Sequence, residues 1–307
     1  MLNEKKFIIY TPSYNEKSGG IVVLHKLCHI LNDLGYEAYL YPQSEQFVFD
    51  KKSIFSEFRK FIKFELKSLL TGFKVNPHFD TPIFDFKNKE IDDSCIVFYS
   101  ELVLGNPLGA KQVARWLLHQ PGFHTGRVMY NAGEILFKFN SAVRDFNYPG
   151  SITSTQELKV IHYPLEHYNL DDVKEERQGT AYCLRKGKHK AIVHDLKDSV
   201  LIDDLPHEEV AKVFKSVKTF ISYDTYTAYS LFAVLCGCES VVIPDEGVTE
   251  EEWYPNPEDR NGIAYGMENI EKANSTAHLV KQYVISEEDK SFNNVKLAIE
   301  EMLSHWS

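Results

Sequence analysis

The feature that most constrains this chain is the order of its first forty residues. Residues 7–10, Phe-Ile-Ile-Tyr, read as a short buried strand, and residues 11–20 as a loop rich in Pro, Ser, Asn and Gly. Over residues 21–34, Val22, Val23, Leu27, Ile30, Leu31 and Leu34 fall near one helical face, and Gly35 supplies a C-terminal stop. Residues 36–41 read as a second strand. Two strands joined through a helix pair in parallel, and a parallel sheet needs cover on both faces. The start of the chain therefore predicts an α/β fold.

The second half repeats this logic. Strands are predicted over 180–184, 199–202, 219–222 and 240–243, with helices over 206–214 and 227–236, the latter ended by Gly237. Between the halves, a strand is predicted over 95–99, a helix over 108–115 and a strand over 116–119. Residues 145–180, rich in Pro, Tyr and acids, read as connection, and the tail over 275–305 as helix. At about 150 residues per domain, 307 residues make about two. The expected division is 1–150 and 151–307.

Charge supports two halves of different character. Residues 1–150 hold 18 Lys+Arg against 16 Asp+Glu, and residues 151–307 hold 16 against 28. A net charge of −10 argues against a polymeric nucleic acid partner. The uncharged stretch 225–238, 14 residues long, is too short to span a bilayer. No signal-peptide pattern opens the sequence, and the five cysteines form no Cys-x-x-Cys pair. Cys236 and Cys238 lie in a mostly apolar run, so buried free thiols and a reducing, cytoplasmic setting are expected.

Four constellations have chemical potential. Ser18-Gly19-Gly20 stands between the first strand and helix, where glycines admit a ligand close to the backbone and the helix start offers free N–H groups to phosphate. A tight turn without a ligand fits it too. It is neither the dinucleotide fingerprint nor a Walker loop. Arg185-Lys186-Gly187-Lys188-His189-Lys190 places four Lys/Arg in six residues just after a strand. That is either a solvated turn or a means of neutralising a pyrophosphate leaving group. A strand ending at Asp224 is followed by Tyr226, Thr227 and Ala228 at the next helix start, on the carboxyl edge where open α/β sheets bind ligands. His119 stands at a strand's carboxyl end in the first half, with Glu101 and His124 on the same rim.

In their order through most of the chain, these features resemble the GT-B class of nucleotide-sugar glycosyltransferases. The resemblance implies two Rossmann-like domains facing across a cleft, with the C-terminal helix free to return to the first domain. It implies that Gly19 and Gly20 lie near the donor phosphates, that Arg185 and Lys190 bind the donor diphosphate, and that His119 contacts the donor sugar. Residues 224–232 are similar to the E-x7-E segment of the large retaining families. Asp224 falls on the first acid, which contacts the transferred sugar. Tyr226, Thr227 and Ala228 fall in the donor-binding stretch, the last two where backbone amides meet the diphosphate. Phe232 replaces the second acid, which usually holds the ribose, so the ribose contact and the nucleotide stay open; the loop 244–247 is one substitute.

The activity so implied moves a sugar from a nucleotide-diphosphate donor to a glycan or lipid-linked acceptor, in surface polysaccharide synthesis, with no metal or other cofactor. An inverting course would need a base at the acceptor hydroxyl, for which Glu101, Glu16 and His124 are nominees. Two other readings remain: a sugar-nucleotide epimerase of the same fold, and a non-catalytic sugar-nucleotide-binding partner, which Phe232 favours.

Residues 51–74 carry seven Lys/Arg against two Glu. On a helical wheel Phe55, Phe58, Ile62, Leu66, Leu69 and Phe73 share a stripe, with Lys60, Lys63, Lys67 and Lys74 on a flank and Phe61 and Phe64 outside it. A helix lying peripherally on an anionic inner membrane face fits this pattern. A helix docked on the first domain, with a wet basic flank, fits it as well.

Overall fold

The computed structural model describes residues 5–46, 54–140 and 143–306. The chain forms two compact units, one running through His162 and resuming at Glu288, the other Tyr163–Glu287. The first contains β1 (Lys6–Thr11), α1 (Gly19–Asp33), β2 (Glu37–Pro42), α2 (Ile54–Thr71), β3 (Cys95–Ser100), β4 (Gln112–Leu117), β5 (Ile135–Lys138) and β6 (Ile152–Glu157). The second contains β7 (Thr180–Cys183), β8 (Ser199–Leu201), α3 (His207–Phe214), β9 (Thr219–Ser222), α4 (Tyr229–Leu235), β10 (Glu239–Val242), α5 (Glu250–Trp253), β11 (Ile263–Tyr265) and α6 (Ile270–Thr276). Helix α7 (Val280–His305) starts in the second unit and ends in the first.

Each unit is a Rossmann-like α/β layer built on a parallel sheet. The six-stranded sheet runs β2-β1-β3-β4-β5-β6 and the five-stranded sheet β11-β10-β9-β7-β8. Every strand pairing in both is parallel. Alternation along β1 sends Phe7 and Ile9 into one core with Leu27 and Leu31 of α1, and Ile8 and Tyr10 into another with Phe84, Val97 and Tyr99. Both faces are thus covered. The last turns of α7 add Val295, Ala298, Ile299 and Met302 to the α1 side of that core.

Three expectations are corrected. Residues 108–115 are not helical. Gly109, at φ +64°, turns the chain into β4, which begins at Gln112 and ends at Leu117. β4 lies between β3 and β5 and is buried from Val113 through Leu117. A strand covered on both faces loses its alternation, and its period no longer distinguishes it from helix. Residues 145–180 are not all connection, because β6 pairs with β5. As an edge strand it is largely exposed and polar, which hid it. The boundary accordingly lies after His162, not at residue 150, and residues from 288 onward belong with the first unit. All five cysteines are buried and unpaired.

Candidate functional site

Strand order fixes where ligands can bind. In open parallel sheets the crevice forms beyond the carboxyl ends, where the order reverses. That point lies between β1 and β3 in the first unit and between β7 and β9 in the second.

In the second unit the chain leaves β7 through a tight turn. The Asp203 carboxylate accepts from the amides of Leu184 (3.0 Å) and Arg185 (2.9 Å). Arg185 adopts φ +40°, a left-handed conformation costing an L-residue roughly 1–2 kcal/mol. Gly187 packs against the chain leaving β9 so closely that a Cβ would overlap the Tyr223 carbonyl. This turn therefore holds the exits of β7 and β9 together. Gly187→Ala is expected to destabilise the second unit by about 3 kcal/mol, since the obstacle is backbone. A urea melt indistinguishable from wild type would show that the turn is not held there.

The strained backbone aims the Arg185 guanidinium over the Tyr229 ring, 4.4 Å from its centroid. Its Nε is buried with no hydrogen-bond partner. Among the described residues no carboxylate pairs with Arg185, Lys186 or Lys188, and the amides of Thr227 and Ala228, just before α4, have no acceptor. A half-buried planar cation without an anion, beside free amides, suits a bidentate phosphate.

Lys190 has a different position in this network. Its three ammonium donors are taken by Asp245 Oδ1 (2.7 Å), Thr225 Oγ1 (2.8 Å) and the Ile243 carbonyl (2.7 Å). Thr225 Oγ1 in turn donates to Asp245 Oδ2 (2.7 Å), and Lys190 holds the Asp245 carboxyl below the usual carboxylate range. Lys190 is thereby a tie between the exits of β9 and β10. Asp224 is buried at the end of β9, where its Oδ1 accepts from the Tyr226 amide (3.3 Å). Tyr226 is exposed, its ring edge-on to Tyr254. Phe232 is core, stacked on Tyr168 at 4.3 Å. Glu246 follows β10, exposed and unpaired among the described residues.

In the first unit Gly19 and Gly20 open α1, and neither needs a left-handed backbone. A Cβ on Gly19 would meet nothing, and one on Gly20 would only touch Leu118. Glu101, 5% exposed, follows β3 and accepts from the Leu118 amide through Oε2 (3.1 Å). Burial raises its carboxyl to about 7, against the opposing pull of the Leu118 and His119 amides and Arg115. Exposed His119 clusters with Phe123 (4.5 Å) and His124 (4.8 Å). Gly20, Glu101, Leu118 and His119 thus share one carboxyl edge. Glu16 lies in the β1–α1 loop, shortly before Gly20.

Sequence reasoning missed the framework under this edge. Arg115 of β4 and Glu134 are fully buried and paired bidentately, at 2.8 Å through both Nε and Nη2. Arg115 also donates to the carbonyls of Val103 (2.7 Å) and Gly105 (2.8 Å), and stacks on Tyr130 at 4.4 Å. Tyr130 donates to the Glu101 carbonyl (3.0 Å). The signal available was a lone Arg inside an apolar strand, which burial obliges to find an acid. His25 was missed as well: buried on α1, it donates from Nε2 to the Pro12 carbonyl (3.0 Å) and pins the β1–α1 loop.

No protein-family model matches the chain, and no curated protein does. Among solved structures it is similar to T4 phage BGT in complex with its UDP-glucose substrate (TM-score 0.40, 12% identity, 98% of this chain and 97% of that one). It is similar to a second T4 phage β-glucosyltransferase structure (0.38, 10%, 98% and 97%). Spinosyn forosaminyltransferase SpnP also matches (0.32, 12%, 99% and 95%). These neighbours are GT-B glycosyltransferases. The two parallel sheets and their strand orders carry the fold assignment for this chain.

Proposed function

We propose that this protein is a glycosyltransferase taking a nucleoside-diphosphate sugar as donor. The observation that carries the reading is Arg185, a half-buried guanidinium without an acid partner among the described residues, held by a strained turn at the reversal point of the second sheet. Its place and chemistry suit the diphosphate of the donor, with the Thr227 and Ala228 amides as further donors. Asp224 is assigned to the sugar, and Glu246 takes the ribose role that Phe232 does not fill.

The first unit is assigned the acceptor. Glu101 takes the proton of an acceptor hydroxyl, whose oxygen bonds to the anomeric carbon. The anomeric carbon–phosphate oxygen bond breaks, and the nucleoside diphosphate leaves with the electron pair while Arg185 stabilises its charge. A carboxyl raised to about 7 suits a base acting near neutral pH. A single displacement with Glu101 as base inverts the anomeric configuration. His119 is assigned to the sugar ring, and the acceptor is a glycan or lipid-linked glycan, as in surface polysaccharide synthesis.

The test is product formation from radiolabelled UDP-, GDP- and TDP-sugars with mixed glycan and lipid-linked acceptors. Label transfer with release of the nucleoside diphosphate supports the reading. The core position of Phe232 favours a second one, a sugar-nucleotide-binding protein without transferase activity. Binding without turnover on any acceptor would establish that one instead.

A further inference from the structure

Helix α2 presents an apolar stripe that the described residues of the first unit leave largely exposed. Phe55 is 85% exposed, Phe58 53%, Ile62 41%, Leu66 56% and Leu70 86%. Spaced by three or four residues, they form one line along an 18-residue helix about 27 Å long. The helix is not simply detached, because Ile54, Phe61 and Phe64, on another face, are half-buried. The stripe faces out along the helix, as the membrane-lying reading expects, while Phe61 and Phe64 outside it are partly covered and Phe73, beyond the helix end, packs against the first unit's core. Five large apolar side chains in one exposed line are unusual on a soluble surface. The side chains of Leu69 and Lys67, also counted in this pattern, lie outside the described residues, as do residues 51–53.

Beside the stripe lies an exposed basic flank of Lys60 and Lys63, and Arg59 stands at the stripe's edge on the same side. Lys60 pairs with Glu57 at 2.8 Å, while Arg59 and Lys63 have no acid partner among the described residues. The chain as a whole carries −10, so this flank is a local inversion of sign. No helix among the described residues is long and apolar enough to cross a membrane.

We propose that α2 docks in the plane of an anionic lipid bilayer, with the stripe in the acyl boundary and Arg59, Lys60 and Lys63 against the headgroups. Charge complementarity selects this occupant. An anionic bilayer satisfies stripe and flank together, whereas a second copy meeting the stripe about a two-fold axis would bring the same cationic flanks together. The docked helix also connects to the first unit's ligand edge. The Lys74 amide donates to Ser13 Oγ (2.7 Å), the Tyr14 amide to the Lys74 carbonyl (2.9 Å) and Asn76 Nδ2 to Tyr14 Oη (2.9 Å). These bonds tie the segment after α2 to the loop that leads into Gly19, so docking would place that edge near the lipid surface.

The full chain would be sedimented with equimolar phosphatidylglycerol–phosphatidylcholine vesicles and with pure phosphatidylcholine vesicles. Strong binding to the anionic vesicles only, weakened at about 1 M salt, is expected. The triple variant Arg59→Glu, Lys60→Glu, Lys63→Glu, and separately Phe55→Ser with Leu70→Ser, should each lose binding by about tenfold or more. Their melting temperatures should be unchanged, because these side chains are exposed. Failure of the wild type to sediment would overturn the proposal, as would binding by both variants equal to that of the wild type. A dimer in ultracentrifugation that Phe55→Ser with Leu70→Ser converts to monomer, without vesicle binding, would assign the stripe to a second copy. No nucleotide enters this assay, so its failure leaves the transferase reading standing.

Discussion

Glu101→Gln is expected to lower turnover by about 10²–10⁴-fold while leaving donor binding intact. The amide preserves size and an acceptor oxygen for the Leu118 amide, and removes the proton acceptor. The wild-type kcat/KM should rise with pH to a plateau, with its midpoint near 7, the value to which burial raises this carboxyl. Stability should move the other way. The folded pKa lies above the ordinary 4.5, so Glu101's contribution is fully present below about pH 4.5 and is lost as pH rises through about 7. The shift corresponds to about 3 kcal/mol. Glu101→Gln should therefore be more stable than wild type at about pH 8, and no more stable at about pH 4. Equal turnover of the two proteins, or a variant whose stability tracks wild type at both pH values, would remove Glu101 from this role.

Arg115→Met is expected to cost about 3–5 kcal/mol, because it leaves Glu134 charged, buried and uncompensated. Part of the loss comes from the carbonyls of Val103 and Gly105, which lose their donor. The double variant Arg115→Met, Glu134→Met should recover much of it, since an apolar pair of similar volume carries no buried charge. Denaturant melts of the two single variants and the double make the cycle. Additive losses would mean that the pair is not coupled in the way its geometry implies.

Much of this fold is legible in the sequence. The βαβ opening, the strands at 180–184 and 219–222, and the Gly237 stop read correctly because short amphipathic helices alternate with apolar runs. The misreadings have physical causes. β4 is buried on both faces and so has no alternation, and its one buried polar residue, Arg115, is explained by an acid 19 residues later. β6 is an exposed edge, so its sequence Ile-Thr-Ser-Thr-Gln-Glu looks like loop.

The candidate site divides along the same line. Arg185 is visible as one of four clustered cations, but its isolation from acids is a property of the fold. Lys190 looks equivalent in sequence, yet Asp245, 55 residues on, closes against it. The Gly187 requirement is invisible too, because the obstructing carbonyl belongs to Tyr223 on another strand's exit. The stripe on α2 was plain from periodicity, while its direction depended on which face the first unit covers.

Titration calorimetry with UDP, GDP and TDP, on the wild type and on Arg185→Gly, tests whether Arg185 holds a nucleoside diphosphate. Glycine suits the φ of +40°, so the variant removes the guanidinium without straining the turn. At least one of the three should bind the wild type, and its affinity should fall by about 10–100-fold in the variant, the scale of lost charge-assisted hydrogen bonds. No heat with any of them, or equal affinity in the two proteins, would mean that Arg185 does not hold a nucleoside diphosphate.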